Sequence, residues 1–415
     1  MHILLVAQQW APEKGVPQRR GQWMVSELVK AGHTVDIVAP PPHYPTGTLL
    51  SDAPEDQEGA VTEVDGVRLF RSKFHPHGQG LVSRIRDQWV VSTSSVATAR
   101  RAAETQVPDV VLATAPPLPA VFTALRVAKK VKRPYVVDLR DAWPELVSFV
   151  AAGDAVDGKA SAKARILESA LKFPAWVFGR MLRKADGLIS TSSWHTKALA
   201  GRLKKPVGFV SNLPLVDLDS EPPAPHSAPP GAPLNVVYCG TLGRAQGLDN
   251  AIRAVAIARK RGVPVNFRVV GDGAHLDRLV ALDAELSAGV DFVGRVPRDE
   301  MVDHYAWADT VLVHLQDWEP LTTTIPSKVF EAIATNKHVT VAARGESAEI
   351  VQRAGAGTVV APMDPVALAT SFIDTASHRE RLMCNAHGQA WLRSELERDH
   401  PAATLLALLH EVADV

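Results

Sequence analysis

Pro320-Leu-Thr-Thr-Thr-Ile-Pro-Ser-Lys-Val-Phe-Glu-Ala-Ile-Ala-Thr-Asn-Lys-His-Val-Thr-Val-Ala-Ala343 reads as a hydroxyl-rich loop, a short helix and a strand. Pro326 suits a helix's first turn, where its missing N–H has no intrahelical partner anyway. Val329, Phe330, Ile333 and Ala334 then share one helical face, while Lys328 and Glu331, three apart, share another. Residues 310–314 form an apolar strand just upstream, so the segment is part of an α/β series.

A helix start near Ser327 is a ready anion site, because free N–H groups and the helix dipole both favour phosphate. Lys328 adds charge there, and the Glu331 carboxylate can accept hydrogen bonds from sugar hydroxyls. Phosphate beside ribose is a nucleotide. The same spacing is also met by a plain surface ion pair, worth a few tenths of a kcal/mol.

Upstream, residues 236–239, 267–270 and 291–293 are further short apolar strands, alternating with helical stretches at 248–260, 276–286 and 301–308. The loop Gly240-Thr-Leu-Gly-Arg-Ala-Gln-Gly247 follows the first of them. It lacks the Gly-Lys-Ser/Thr ending of a P-loop, but Gly243 lets backbone amides approach an anion and Arg244 supplies charge.

The first half repeats the pattern. Residues 3–7 and 35–39 are strands joined by a loop at 8–21 and a helix at 22–30, with further strands at 67–71, 110–113, 135–138 and 187–191. No G-x-G-x-x-G is present. Gly15 and Arg19 lie in the first loop, and Arg140-Asp-Ala-Trp-Pro-Glu145 follows a strand's carboxyl end, where such folds place function. Asp141 there could equally cap the next turn. Residues 216–233, rich in Pro and acidic groups, mark a linker. Two nucleotide-binding-like halves joined by a linker imply a cleft between them.

Composition narrows the field. The 415 residues are 46% hydrophobic and 22% charged, ordinary for two or three globular domains. Lys+Arg and Asp+Glu both number 45, so no global field draws nucleic acid. Two cysteines are too few for a disulfide framework or a zinc site and fit a reducing compartment. The opening apolar run is too short for a secretory signal, and no run reaches membrane-spanning length, so a cytoplasmic protein is expected. Residues 81–91 and 162–184 interleave Arg and Lys with Trp and Phe, as expected of helices on an anionic bilayer and also of ordinary surface helices.

Gly240-Thr-Leu-Gly, Gly271-Asp-Gly, Phe292-Val-Gly-Arg and Pro326-Ser-Lys-Val-Phe-Glu-Ala-Ile-Ala, in that order, resemble the C-terminal half of retaining glycosyltransferases of the GT-B fold, family four type. Trp10-Ala-Pro-Glu13, Gly32-His-Thr-Val, Tyr44-Pro-Thr-Gly47 and the Arg140 motif are similar to the branch containing N-acetylfucosamine transferases of surface-polysaccharide assembly. The resemblance implies two Rossmann-like domains facing each other across a cleft: residues 1–215 on the acceptor side, 234–392 holding the nucleotide-sugar, and a helix at 393–415 crossing back. It implies Glu331 on the ribose, Gly294 and Arg295 at the base, Gly271 and Ser327 lining the donor site, and Arg140 and Asp141 at the sugar. In the family's pattern a glutamate stands at Thr323, and an Arg and a Lys stand at Thr241 and Gln246. Lys328, Arg244 and Arg19 are the cations left for the diphosphate, and no metal or other cofactor is expected. A nucleotide-sugar donor and a glycan or lipid-linked acceptor are the implied partners. An epimerase of the same fold and a non-catalytic nucleotide-sugar binder remain open at this point.

Overall fold

The computed structural model describes all residues except 79, 147–148, 150–161, 214–215, 220, 222–228, 230, 298, 383–387 and 415. Much of the expected linker at 216–233 therefore lies outside the described residues. Two compact units are present, Met1–Leu215 with Asp399–Val415, and Val216–Arg398.

The first unit is built on β1 (His2–Val6), β2 (Thr34–Ala39), β3 (Val61–Val64), β4 (Val67–Arg71), β5 (Val110–Ala115), β6 (Tyr135–Leu139), β7 (Gly187–Ser190) and β8 (Val207–Phe209). Their order is β3-β4-β2-β1-β5-β6-β7-β8, parallel except for β3 on β4. Leu5 lies opposite Ile37 on one side and Leu112 on the other, all three fully buried, because helices cover both faces of a parallel sheet.

The first helix corrects the sequence reading. It runs from Val16 to Lys30 rather than starting at residue 22, with Pro17 in its first turn, where a proline costs no hydrogen bond. Its neighbouring arginines therefore leave the helix in different directions. Arg20 is buried and donates to both carboxylate oxygens of Asp138 in β6, to the Ser211 carbonyl and to Asn212 Oδ1. Replacing either partner of such a pair alone would strand a buried charge.

The C-terminal reading of one helix over 393–415 is also corrected. Gly388–Asp399 and Pro401–Ala413 are separate helices, broken at His400, whose left-handed φ of 44° cannot continue a helix. The second packs Leu405, Leu408 and Leu409 into the first unit's core, where Gly187 and Gly208 leave room for Val412 and Leu408.

The second unit carries β9 (Leu234–Cys239), β10 (Val265–Val270), β11 (Asp291–Gly294), β12 (Thr310–His314), β13 (His338–Ala342) and β14 (Gly357–Val360). All are parallel, in the order β11-β10-β9-β12-β13-β14. The order reverses between β9 and β12, the place where such sheets bind ligands at their carboxyl ends.

Candidate functional site

Three strands of the second unit lead to a glycine, Gly240 just after β9, Gly271 just after β10 and Gly294 at the end of β11. Gly240 donates its N–H to the Val270 carbonyl at 2.8 Å, and Gly271 to that of Gly294 at 2.7 Å. Gly271 has a φ of 140°, and a Cβ there would stand 1.9 Å from the Gly240 oxygen. Only a chain without side chains can cross itself so closely, which leaves a floor of backbone on which a ligand can lie. Beyond it, the Gly243 N–H is taken by Gln246 Oε1 at 3.1 Å, so the residue standing where the family has a cation serves the loop's own shape.

Over this floor comes Lys328, from the helix Ser327–Ala334 that follows β12. Pro326 is the residue just before that helix rather than inside it, in extended conformation (ψ 137°). Among the described residues no side chain caps this end; the Val329 N–H turns back to the Pro326 carbonyl at 3.0 Å, and the amides before it face the position an anion would take. The Lys328 ammonium donates to the Tyr238 hydroxyl, which donates onward to the Thr241 carbonyl at 2.8 Å, and it lies 3.8 Å from the Tyr238 ring centroid. A Cβ on Gly240 would be 2.8 Å from that ammonium, so the glycine is what admits it. Burial takes the Lys328 pKa down to about 7, against the opposing pull of Cys239 and the Glu331 carboxylate. Without a ligand, the site thus holds a lysine that is half charged at neutral pH. An anion placed there would restore the full charge.

Glu331 is half-buried one turn along the same helix. Thr323 turns its hydroxyl to the Pro320 carbonyl at 3.1 Å, closing the 3-10 turn Glu319–Thr323. Arg244 stacks over the Trp318 ring, 5.7 Å from its centroid. Arg295 stands beside β11's end with Asp272 3.9 Å away. His314, at the end of β12, is fully buried between Asn250 and the Gln246 carbonyl, and burial brings its pKa to about 4. It is a neutral strut under the glycine loop. Its role was hidden in the sequence because its partner Asn250 lies 64 positions away.

Gly15, Arg19, Arg140 and Asp141 belong to the first unit. Gly15 precedes the helix Val16–Lys30 and accepts from the Arg19 N–H at 3.0 Å. Arg140, at the end of β6, donates from Nε to the Ala115 carbonyl and from Nη2 to that of Pro116, tying β6 to the end of β5. Burial lowers its pKa. Asp141 is half-buried, and burial raises its carboxyl pKa although Arg140 opposes this. Among the described residues nothing donates to that carboxylate. Next to this loop, Pro144, Lys172, Trp176, Arg183 and Arg202 line a groove of about 400 Å³.

The two halves each match a family model. Residues 16–206 match the glycosyl transferase 4-like domain, and residues 233–378 match glycosyl transferases group 1. This chain is a glycosyltransferase. No curated protein gives a significant sequence match. Solved structures resemble it over their whole length at low identity. Sucrose-phosphate synthase from Thermosynechococcus elongatus has a TM-score of 0.69 at 17% identity, covering 99% of this chain and 98% of its own. Anabaena HepE in complex with UDP and glucose scores 0.61 at 15%, with 99% of both chains covered. WaaG, a glycosyltransferase involved in lipopolysaccharide biosynthesis, scores 0.59 at 15%, again over 99% of each. The fold of this glycosyltransferase is thus GT-B. Among the described residues, no helix is long and apolar enough to cross a membrane.

Proposed function

We propose that this glycosyltransferase moves a sugar, N-acetylated as in the branch its N-terminal motifs resemble, from UDP to a lipid-linked or other glycan acceptor, with retention of configuration. The cytoplasm and cell-surface polysaccharide synthesis are its setting in this reading. The observation that carries it is the Lys328 ammonium, held over the Gly240–Gly271 floor beside an uncapped helix start. A UDP-binding neighbour, HepE, supports the choice of base. Lys328, Arg244 and the helix amides supply the positive charge that a departing diphosphate needs, so no metal is assigned to the transfer. The bond from the sugar's anomeric carbon to the diphosphate breaks, the acceptor oxygen bonds on the same face, and its proton passes to the leaving phosphate oxygen. Arg140 and Asp141 are assigned to the sugar, and Gly15 and Arg19 to the donor's phosphates.

A thermal-shift screen against UDP-, GDP- and dTDP-sugars tests the donor, since a ligand that binds only the native state raises the unfolding midpoint. Transfer to an acceptor should then fall by at least tenfold in Arg140→Ala with donor affinity within about threefold, the pattern of a contact made in the transition state. Stimulation by Mg²⁺ would overturn the metal assignment. Isomerised donor formed without acceptor would make the chain an epimerase, and tight donor binding without turnover would make it a binder.

The acceptor reading extends to the bilayer. Val82, Ile85 and Trp89 are exposed beside Arg84 and Arg86, and Phe173 and Trp176 beside Lys172, Arg180, Arg183 and Lys184. Side chains 162–168 and 170 of the longer stretch lie outside the described residues. Each cation near an anionic surface contributes about 1 kcal/mol. Flotation with phosphatidylserine vesicles should be lost when Arg180, Arg183 and Lys184 all become Glu. Unchanged flotation would remove this surface from the assignment.

A further inference from the structure

Outside the donor and sugar-contact residues, the first unit gathers His43, His77 and Asp87 from three segments: the loop after β2, the stretch after β4, and the helix Leu81–Thr105. Their donor atoms lie within 4.8 Å of one another. Asp87 is fully buried, while Arg84 and Arg86 of the same helix are exposed.

The hydrogen bonds at the rim decide what the three groups offer at the centre. His43 Nδ1 is 2.7 Å from the Pro41 carbonyl and His77 Nδ1 is 2.9 Å from that of Gly78. A carbonyl only accepts, so each ring carries a proton on Nδ1, and in the neutral ring Nε2 turns a lone pair inward. Both lone pairs face one atom, Asp87 Oδ2, at 3.5 and 3.9 Å. Asp87 Oδ1 is held by the His75 N–H at 2.9 Å, while Oδ2 is buried with no hydrogen-bond partner among the described residues. With both rings neutral, three acceptors converge with no donor between them and repel one another, unless a proton or a metal cation stands at the centre.

We infer that His43 Nε2, His77 Nε2 and Asp87 Oδ2 are the protein ligands of a divalent metal, Zn²⁺ by donor type, that pins the loop after β2 to the helix Leu81–Thr105. Zinc takes nitrogen and carboxylate oxygen at about 2.0–2.2 Å, and a tetrahedron on such bonds has edges of about 3.3–3.6 Å. The separations of 3.5 and 3.9 Å close onto that figure with small movements. The outward Nδ1–H bonds and the His75 amide are the supporting shell that metal-binding histidines and carboxylates carry. Phe74 stacks on His43 with centroids 4.7 Å apart, and the buried Glu13 carboxylate, bonded to the His43 and Tyr44 amides, adds negative charge nearby. Gly47 makes the approach possible. It has a φ of 78°, its N–H and C=O bond to His43 and His77 respectively, and a Cβ there would stand 2.1 Å from the His77 oxygen. The motif Tyr44-Pro-Thr-Gly47 thereby acquires a physical reason separate from sugar transfer.

The competing arrangement is a proton in place of the metal. Asp87, together with the Pro41 carbonyl, outweighs burial and raises the His43 pKa. A gap of 3.5 Å is longer than a charge-assisted N–H···O bond, which is about 2.7–2.9 Å.

The test uses the full chain without a histidine tag, stripped by chelator and titrated with Zn²⁺ alone and with Co²⁺ alone. About one equivalent of Zn²⁺ should bind and raise the unfolding midpoint, and Co²⁺ should give the visible absorption of a low-coordinate site. His77→Ala, at the more exposed ligand, and Asp87→Asn should each lose the equivalent and the absorption. Equal stoichiometry in His77→Ala would place the metal elsewhere and overturn the assignment. So would a parent protein that takes up no zinc, which leaves the proton arrangement. If Asp87→Asn does not fold, His77→Ala and the Co²⁺ spectrum decide.

Discussion

Lys328→Met is expected to weaken binding of the UDP-sugar by about tenfold to a hundredfold at pH 6, and to remove a pH dependence that the parent protein shows above neutrality. The parent lysine, brought to about pKa 7 by burial, is charged below that value and neutral above it. A diphosphate beside it favours the charged form by the 1.5–3 kcal/mol of a charge-assisted hydrogen bond, which moves its pKa up by roughly one to two units in the complex. Binding therefore takes up a proton wherever the free site has lost one, and affinity falls as pH rises through 7. Between pH 7 and 8.5 the loss comes to about fivefold to tenfold. A sugar nucleotide is the ligand to use, because its phosphates are diesters without a titration in this window. Methionine keeps the length of the side chain and its contact with the Tyr238 ring while removing the titrating group. Calorimetric affinities at four pH values for both proteins check this. A parent profile that stays flat, or a methionine variant that keeps the slope, would take Lys328 out of the phosphate site.

Much of the architecture was readable in the chain because buried parallel strands are continuous apolar runs. Residues 236–239 and 310–314 could be placed without knowing what covered them. The exceptions have particular causes. Val61–Val64 is an exposed edge strand with Thr62 and Glu63 between its valines, Val207–Phe209 has only three residues, and Gly357–Val360 is short and opens on glycine, so none has a long apolar run. The helix starting at Val16 was hidden by Pro12, Gly15 and Pro17, which signal a loop until one sees that Pro17 sits in a first turn.

The site was legible only where its chemistry is local. Lys328 and Glu331 could be paired by helical spacing, but the depressed lysine pKa comes from burial, and the hydroxyl that the ammonium meets is on Tyr238, 90 residues upstream. Of the adjacent arginines, Arg20 rather than Arg19 meets Asp138, a distinction made by helix rotation and a strand 118 residues away. The His43, His77 and Asp87 cluster left no spacing signature for the same reason. Two loops and a helix bring it together, and the two cysteines gave no warning of it.

Glu331→Gln should lower affinity for the ribonucleotide by about tenfold to a hundredfold, and for the 2′-deoxynucleotide by distinctly less. The carboxylate can accept from both ribose hydroxyls, whereas the glutamine amide has one accepting oxygen and turns N–H donors toward the other position. Charge-assisted hydrogen bonds are worth roughly 1.5 to 3 kcal/mol, which sets the expected fold-change. The parent protein should already bind the deoxynucleotide weakly, since one partner of Glu331 is then missing and less remains for the mutation to remove. Volume hardly changes, and Glu331 is only half-buried, so the unfolding midpoint without ligand should stay near that of the parent. This separates a lost contact from a damaged helix. The substitution also removes a carboxylate whose field helps hold Lys328 charged, so part of the loss could pass through the lysine rather than the ribose. The deoxynucleotide distinguishes the two routes, because a loss through Lys328 strikes both ligands equally while a loss at the ribose does not. Four calorimetric affinities, two proteins with two nucleotides, give the coupling between Glu331 and the 2′-hydroxyl. A coupling of zero would leave Glu331 as a companion charge to Lys328 and assign the ribose to other groups.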